Sequence, residues 1–149
     1  MKSFSELTIA MASDHAGYNF KHLIQLFLED NGAKVKDFGC ESTESCDYPD
    51  FVHPLAEAID KGEYEFGIII CSTGNGVSMA ANKHQGVRAA LCWDPRLAEL
   101  ARQHNNANVL ALPASFISAP QALDIVRAFF QSDFEGGRHE RRVAKIPCA

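Results

Sequence analysis

A run of strand length, Phe66-Gly67-Ile68-Ile69-Ile70-Cys71, is apolar, rich in β-branched residues, and ends at a thiol. Ser72-Thr73-Gly74-Asn75-Gly76 follows as a glycine-spaced turn, and Val77 to Lys83 reads as a helix. A strand that passes through so short a turn into a helix commits this stretch to one β-turn-α unit. The turn directs successive backbone N–H groups at one point, and the helix start adds a partial positive charge there. An anion or a developing oxyanion would bind at that point, beside a sulfur that the same field pushes toward thiolate. The pattern points to chemistry on a small phosphorylated or carbonyl-bearing molecule.

The rest of the chain repeats the alternation. Leu7 to Ala12 reads as a buried first strand. Phe20, Leu23, Ile24, Phe27 and Leu28 then recur at helical spacing until Asn31-Gly32 ends the helix. Ala33 to Phe38 is a second strand, and the polar loop 39–48 leads to a helix that starts at Pro49 and runs toward Lys61. Val87 to Cys92 is a fourth strand. Asp94-Pro95 supplies a cap and a first-turn proline for a helix running toward Gln103. Asn108 to Leu112 is a fifth strand, and Ser118 with Pro120 opens a helix carrying Leu123, Ile125, Val126, Phe129 and Phe130. Strands alternating with helices at these spacings predict an α/β fold: a five-stranded parallel, Rossmann-like sheet inside a three-layer α/β/α sandwich. No linker, repeat or low-complexity segment interrupts it, so residues 1–149 form one domain.

Composition narrows the partners. Fourteen basic against nineteen acidic residues argue against a nucleic-acid footprint. No apolar stretch approaches a membrane span, and the N-terminus has no signal-peptide pattern. Five cysteines, at 40, 46, 71, 92 and 148, form no C-x-x-C pair and fit a reducing cytoplasm. His22, His53 and His84 read as surface residues, and no His or Cys spacing suggests a metal site. Neither a metal nor another cofactor is expected.

In such sheets ligands gather beyond the carboxyl ends of the strands. Ser13-Asp14-His15-Ala16-Gly17 and the loop from Cys71 to Gly76 fall there. Asp14 reads equally well as a helix cap, whereas His15 is a polar residue placed at the functional edge. Asp94 is explained as a cap. His104-Asn105-Asn106 follows a helix that has carried the chain back to the amino ends of the strands, and Arg138 and Arg142 start from that same edge. His104 alone reads as a surface histidine, and Arg138-His139-Glu140-Arg141-Arg142 alone as a solvated basic turn. Arg138 and Arg142, however, have the i, i+4 spacing that lets a helix clamp a phosphate. If both edges are catalytic, a second subunit must bring one of them to the other.

With these residues assembled, the chain resembles the ribose-5-phosphate isomerase B family, which includes galactose-6-phosphate isomerase subunits. The carriers are SDHAG (13–17), DYPDF (47–51), GIIICSTGNGVSMAANK (67–83), RQHNNANVLAL (102–112) and FEGGRHERRV (134–143). The resemblance implies metal-independent interconversion of aldose and ketose phosphates through an enediolate, the pentose phosphate pathway reaction of ribose 5-phosphate and ribulose 5-phosphate. It implies Cys71 as the base, in place of a glutamate that some relatives carry later in the loop, where this chain has Val77 and Ser78. The backbone of Ser72, Thr73, Gly74, Asn75 and Gly76 would stabilise the enediolate oxygen, with the Thr73 hydroxyl on substrate oxygens. His104 would help open the furanose ring from a partner subunit. Asp14, Tyr48 and Asn105 would bind sugar hydroxyls or the ring oxygen, and His15, Arg138 and Arg142 the phosphate. The resemblance thus implies a homodimer with shared sites, or a tetramer, to which the tail 134–149 contributes. One departure is Ser115, which stands where many relatives carry a phosphate-contacting arginine.

Other readings compete. A hexose 6-phosphate, such as galactose or allose 6-phosphate, is the alternative substrate. A cysteine phosphatase needs an arginine six residues after the cysteine, where this chain has Val77. A nucleotide-binding module lacks both the G-x-G-x-x-G after the first strand and a Walker lysine.

Overall fold

The structure, a computed structural model, describes residues 2–149. A single 3-10 turn, Phe4–Glu6, precedes β1 (Thr8–Ser13), α1 (Tyr18–Asp30), β2 (Lys34–Asp37), α2 (Pro49–Asp60) and β3 (Phe66–Cys71). Then follow α3 (Asn75–Ala81), β4 (Ala89–Leu91), α4 (Pro95–Asn105), β5 (Val109–Pro113), α5 (Ala119–Phe130) and α6 (Arg138–Val143). All strand pairs are parallel, in the order β2-β1-β3-β5-β4.

Side-chain alternation along the central strands builds two cores. Ile9, Met11, Ile68, Ile70, Leu110 and Leu112 face one way, against Ile24 and Leu28 of α1, Ala98 and Ala101 of α4, and Ile125, Val126 and Phe129 of α5. Ala10, Ala12, Ile69, Cys71, Val109 and Ala111 face the other way, against Val52, Leu55, Ala56 and Ile59 of α2 and Val77 and Ala81 of α3. Three layers result, as the alternation predicts. Fully burying each large aliphatic side chain contributes roughly 1.5–3 kcal/mol, so the double-sided central strands are the rigid part of the molecule.

The two edge strands are shorter than their apolar runs suggest. β4 begins at Ala89 rather than Val87 because the Val87 N–H turns back to the His84 carbonyl (3.0 Å) and the Asn108 side chain takes the Arg88 N–H (2.8 Å). Asn82, just past α3, continues the pairing with its side chain: Oδ1 accepts from the Ala89 N–H at 2.8 Å, and Nδ2 donates to the Ala89 carbonyl at 3.0 Å. α3 starts at Asn75, two residues before the expected Val77, because Gly74 turns the chain at φ +74°. The caps are as expected: Asp94 Oδ1 accepts from the Arg96 N–H (2.8 Å), and Ser118 and Gln121 close a capping box on α5.

Candidate active site

Strand order reverses between β1 and β3, whose neighbours continue in opposite directions, so their two exit loops diverge and leave a crevice. Both sequence segments expected at the carboxyl edge leave from this point. The loops are tied directly to each other, since the Asp14 N–H donates to the Ile70 carbonyl at 3.2 Å. Gly17 packs so tightly that a Cβ there would lie 2.6 Å from the Ile70 carbonyl oxygen.

Cys71 closes β3 and is 6% exposed. The Gly74 N–H donates to its Sγ at 3.2 Å, a geometry that the left-handed Gly74 backbone makes possible. One of the turn amides is therefore aimed at the sulfur itself, and the Asn75 N–H is engaged by Thr73 Oγ1 at 3.2 Å. A β-carbon on Gly76 would fall 2.6 Å from the Tyr48 ring and 2.9 Å from its hydroxyl oxygen, which places Tyr48 against the first turn of α3. Asp14 does not cap α1, whose N-cap is Gly17 with no side-chain bond; its Oδ1 instead closes the turn before the helix, accepting from the N–H groups of Ala16 (2.9 Å) and Gly17 (3.1 Å). His15 Nδ1 accepts from the Cys46 N–H at 3.3 Å, which orients the imidazole from the 39–48 loop. That loop is anchored by Lys21, a fully buried lysine whose Nζ bonds Asp37 Oδ1 (2.7 Å) and the Cys40 carbonyl. Ser115 meets the β3 loop twice, its N–H donating to the Ser72 carbonyl (3.0 Å) and its Oγ accepting from Ser72 Oγ (2.8 Å). Ser115 thus laces the β3 and β5 loops together.

The remaining predicted residues lie at the opposite edge. α4 begins after β4 and returns along the sheet, so His104 and Asn105 in its last turn sit at the amino ends of the strands. Asn105 lines a cavity of about 330 Å³ with Arg88, Ala89 and the tail residues Ile146 to Cys148. The tail is held to this edge by Glu135, whose N–H donates to the Gln103 carbonyl at 3.0 Å, and by Cys148, whose N–H donates to Gln85 Oε1 at 2.9 Å. The basic segment is a short helix, α6, rather than a turn, which puts Arg138 and Arg142 at i, i+4 spacing on it. The carboxyl and amino ends of the six-residue β3 are separated by roughly 17 Å.

Two neighbours of His104 escaped the sequence. His139 stacks on it with ring centroids 4.3 Å apart and 11° between planes. Glu135 Oε1 lies 3.7 Å from His104 Nε2 and 3.8 Å from His139 Nε2. Burial, with His104 beside it, holds His139 below the ordinary imidazole range. Residues 104, 135 and 139 form no compact motif, so the expectation of no metal-ligand set does not hold spatially: these three donors lie within 4.8 Å of one another. His53 and His84, expected as surface residues, lie at the surface and are hydrogen-bonded to each other at 2.8 Å. No helix among the described residues is long and apolar enough to cross a membrane.

The family model for ribose/galactose isomerase matches residues 9–146. Ribose-5-phosphate isomerase B of Escherichia coli K12 is 44% identical over 138 residues, which cover 93% of each chain. A solved Clostridium thermocellum ribose-5-phosphate isomerase B superposes with a TM-score of 0.93 at 48% identity, covering 94% of this chain and 95% of that one. The Mycoplasma genitalium ribose-5-phosphate isomerase B, solved with bound ribulose-5-phosphate, gives a TM-score of 0.90 at 45% identity over 93% of both chains. Matching of the whole sandwich, from β1 through the tail that carries α6, means that the chain belongs to the ribose/galactose isomerase family of enzymes.

Proposed function

We propose that this enzyme interconverts ribose 5-phosphate and ribulose 5-phosphate, and that it does so without a metal, with Cys71 as the proton-transferring base. The observation that carries the proposal is the placement of the Cys71 sulfur at the β1/β3 crevice under the Gly74 N–H, beside Asp14, His15 and Tyr48. A relative of the same fold that is solved with ribulose-5-phosphate supports the substrate class. In the open-chain aldose, the Cys71 thiolate removes the C2 proton while the aldehyde oxygen takes up negative charge. The resulting enediolate is held by the backbone of Ser72 to Gly76 and the Thr73 hydroxyl. The proton returns to C1 while the O2 hydroxyl proton passes to O1, which leaves a carbonyl at C2 and a hydroxyl at C1 with no net change in atoms or electrons.

His15 at the crevice and Arg138 with Arg142 at the far edge bind the phosphate, and Asp14, Tyr48 and Asn105 hold hydroxyls. Both sets must reach one small sugar, yet within one chain they are a strand length apart. A second copy, related by a two-fold axis, therefore supplies His104 for ring opening together with Asn105, Arg138 and Arg142.

The experiment mixes Cys71→Ala and His104→Ala chains, each inactive alone, after confirmed subunit exchange. Half of the randomly formed dimers are mixed and carry one intact site, so about a quarter of wild-type ribulose 5-phosphate formation should return. A mixture that exchanges subunits and stays inactive refutes the shared site. Turnover of galactose or allose 6-phosphate in preference to ribose 5-phosphate refutes the substrate assignment.

A further inference from the structure

Ring opening occupies His104, whereas Glu135 and His139 beside it have no part in the isomerisation steps. Their donor set, two imidazoles and a carboxylate, is the ligand chemistry of open zinc-type sites, with remaining positions free for water. Both Nε2 atoms already address the same Glu135 oxygen, at 3.7 and 3.8 Å. Ligands around a tetrahedral ion with bonds of about 2.0–2.1 Å sit roughly 3.3 Å apart, so the two imidazole-to-carboxylate distances are about 0.4 Å longer than in a loaded site, and with all three donors within 4.8 Å of one another a ring rotation of His104 completes the set. The three residues come from two separate segments that are already joined by the bond from the Glu135 N–H to the Gln103 carbonyl. His104 is 38% exposed and Glu135 52%, so the ion has a path in and His104 has room to turn its ring. Glu135 also supplies the negative charge that a cation beside Arg138 and Arg142 requires.

We propose that His104, Glu135 and His139 form an inhibitory site for a zinc-like divalent cation, which withdraws His104 from the sugar. This rests on the role of His104 in ring opening. An imidazole nitrogen that coordinates a metal cannot exchange a proton with the ring oxygen, and the ion is expected to stop turnover without touching Cys71.

The test uses the full-length chain with Co²⁺ as a spectroscopic probe and Zn²⁺ as the inhibitor. Co²⁺ should give ligand-field bands at one ion per chain, without the sulfur-to-metal charge transfer that thiolate ligation produces. Either His139→Ala or Glu135→Gln should weaken that binding by at least about tenfold, on the scale of losing one ligand. Zn²⁺ should inhibit ribose 5-phosphate isomerisation reversibly, with EDTA restoring it. Glu135→Gln should need at least about tenfold more Zn²⁺ for half-inhibition, measured against that variant's own uninhibited rate. Co²⁺ binding indifferent to both substitutions, or carried by thiolates, overturns the site. Binding at the triad with isomerisation unaffected overturns the inhibitory role. A chain that binds Co²⁺ through the triad but turns over no sugar phosphate leaves the site standing and instead refutes the functional assignment.

Discussion

Gly17→Ala tests how closely the crevice is built. Gly17 lies at φ −94°, ψ 0°, a conformation open to any L-residue, so the substitution brings no backbone strain. Its cost is contact. The new methyl would sit 2.6 Å from the Ile70 carbonyl oxygen and 2.8 Å from the Ile70 carbonyl carbon and Cβ, up to about 0.8 Å inside ordinary van der Waals separation. The opposing atoms are backbone and Cβ of a central strand buried on both faces and cannot swing aside. The overpacking cost therefore belongs in the upper half of the usual range, about 2–3 kcal/mol. Replacing glycine also removes freedom from the unfolded chain, which returns about 0.4–1 kcal/mol. The net expectation is a loss of about 1–2.6 kcal/mol, or a fall in Tm of about 2–10 °C at fixed chain concentration. Relief must come from moving the 13–17 loop off β3, which lengthens the 3.2 Å bond from Asp14 to Ile70 and displaces His15 from Cys71. A shift of several tenths of an ångström should lower kcat/KM by about tenfold. Calorimetry and an isomerase assay on the same preparation decide the matter. Wild-type Tm together with wild-type kcat/KM would refute the claim that the two loops are locked by this contact.

Three further expectations follow from the same geometry. Cys71→Ala should lower kcat by at least about 10²-fold while KM stays within about threefold, because the loop amides and cations remain; near-wild-type solvent exchange at C2 would point to another base. Lys21→Met should destabilise by about 2–3 kcal/mol, below the full cost of breaking a buried pair because Asp37 is 32% exposed, and adding Asp37→Asn should recover part of it; a single variant as stable as wild type in urea refutes the anchoring role. Burial pushes the Cys92 thiol up to about 12, so at pH 8 only about 10⁻⁴ of it is thiolate, and iodoacetamide should modify exposed Cys148 long before Cys92; comparable rates by peptide mass spectrometry would contradict the packing.

Local pattern carried most of the fold. Ile68, Ile69 and Ile70 alternate between two cores, and Asp94, Pro95 and Ser118 cap helices, because these effects depend on residues close in sequence. Strand order did not follow from pattern, since nothing near β3 encodes that its neighbours are β1 and β5. The separation of Cys71 from His104 was legible because a helix returning along a parallel sheet has only one place to end. The partners of His104 were not. His139 stood in view as one of several polar residues in a basic turn, and Glu135 offered no signal, because their meeting depends on how the tail lies against α4. Lys21 was hidden for a similar reason. It occupies a helix position that reads as ordinary surface, and only the return of Asp37 and Cys40 makes it an interior cation.

The Asn82 side chain at the margin of β4 bears on how such molecules behave in crowded solution. Strand β4 has β5 on one side and would present bare N–H and C=O groups on the other, an invitation for foreign chains to add strands. Asn82 fills both outward groups of Ala89, so a fibril-forming neighbour finds the first rung of this edge already taken. At the opposite margin, Lys34 and Lys36 set charge along β2, which disfavours the same growth. With charge on one margin and a side chain pairing into the other, both edges of the sheet are poor templates for open-ended stacking.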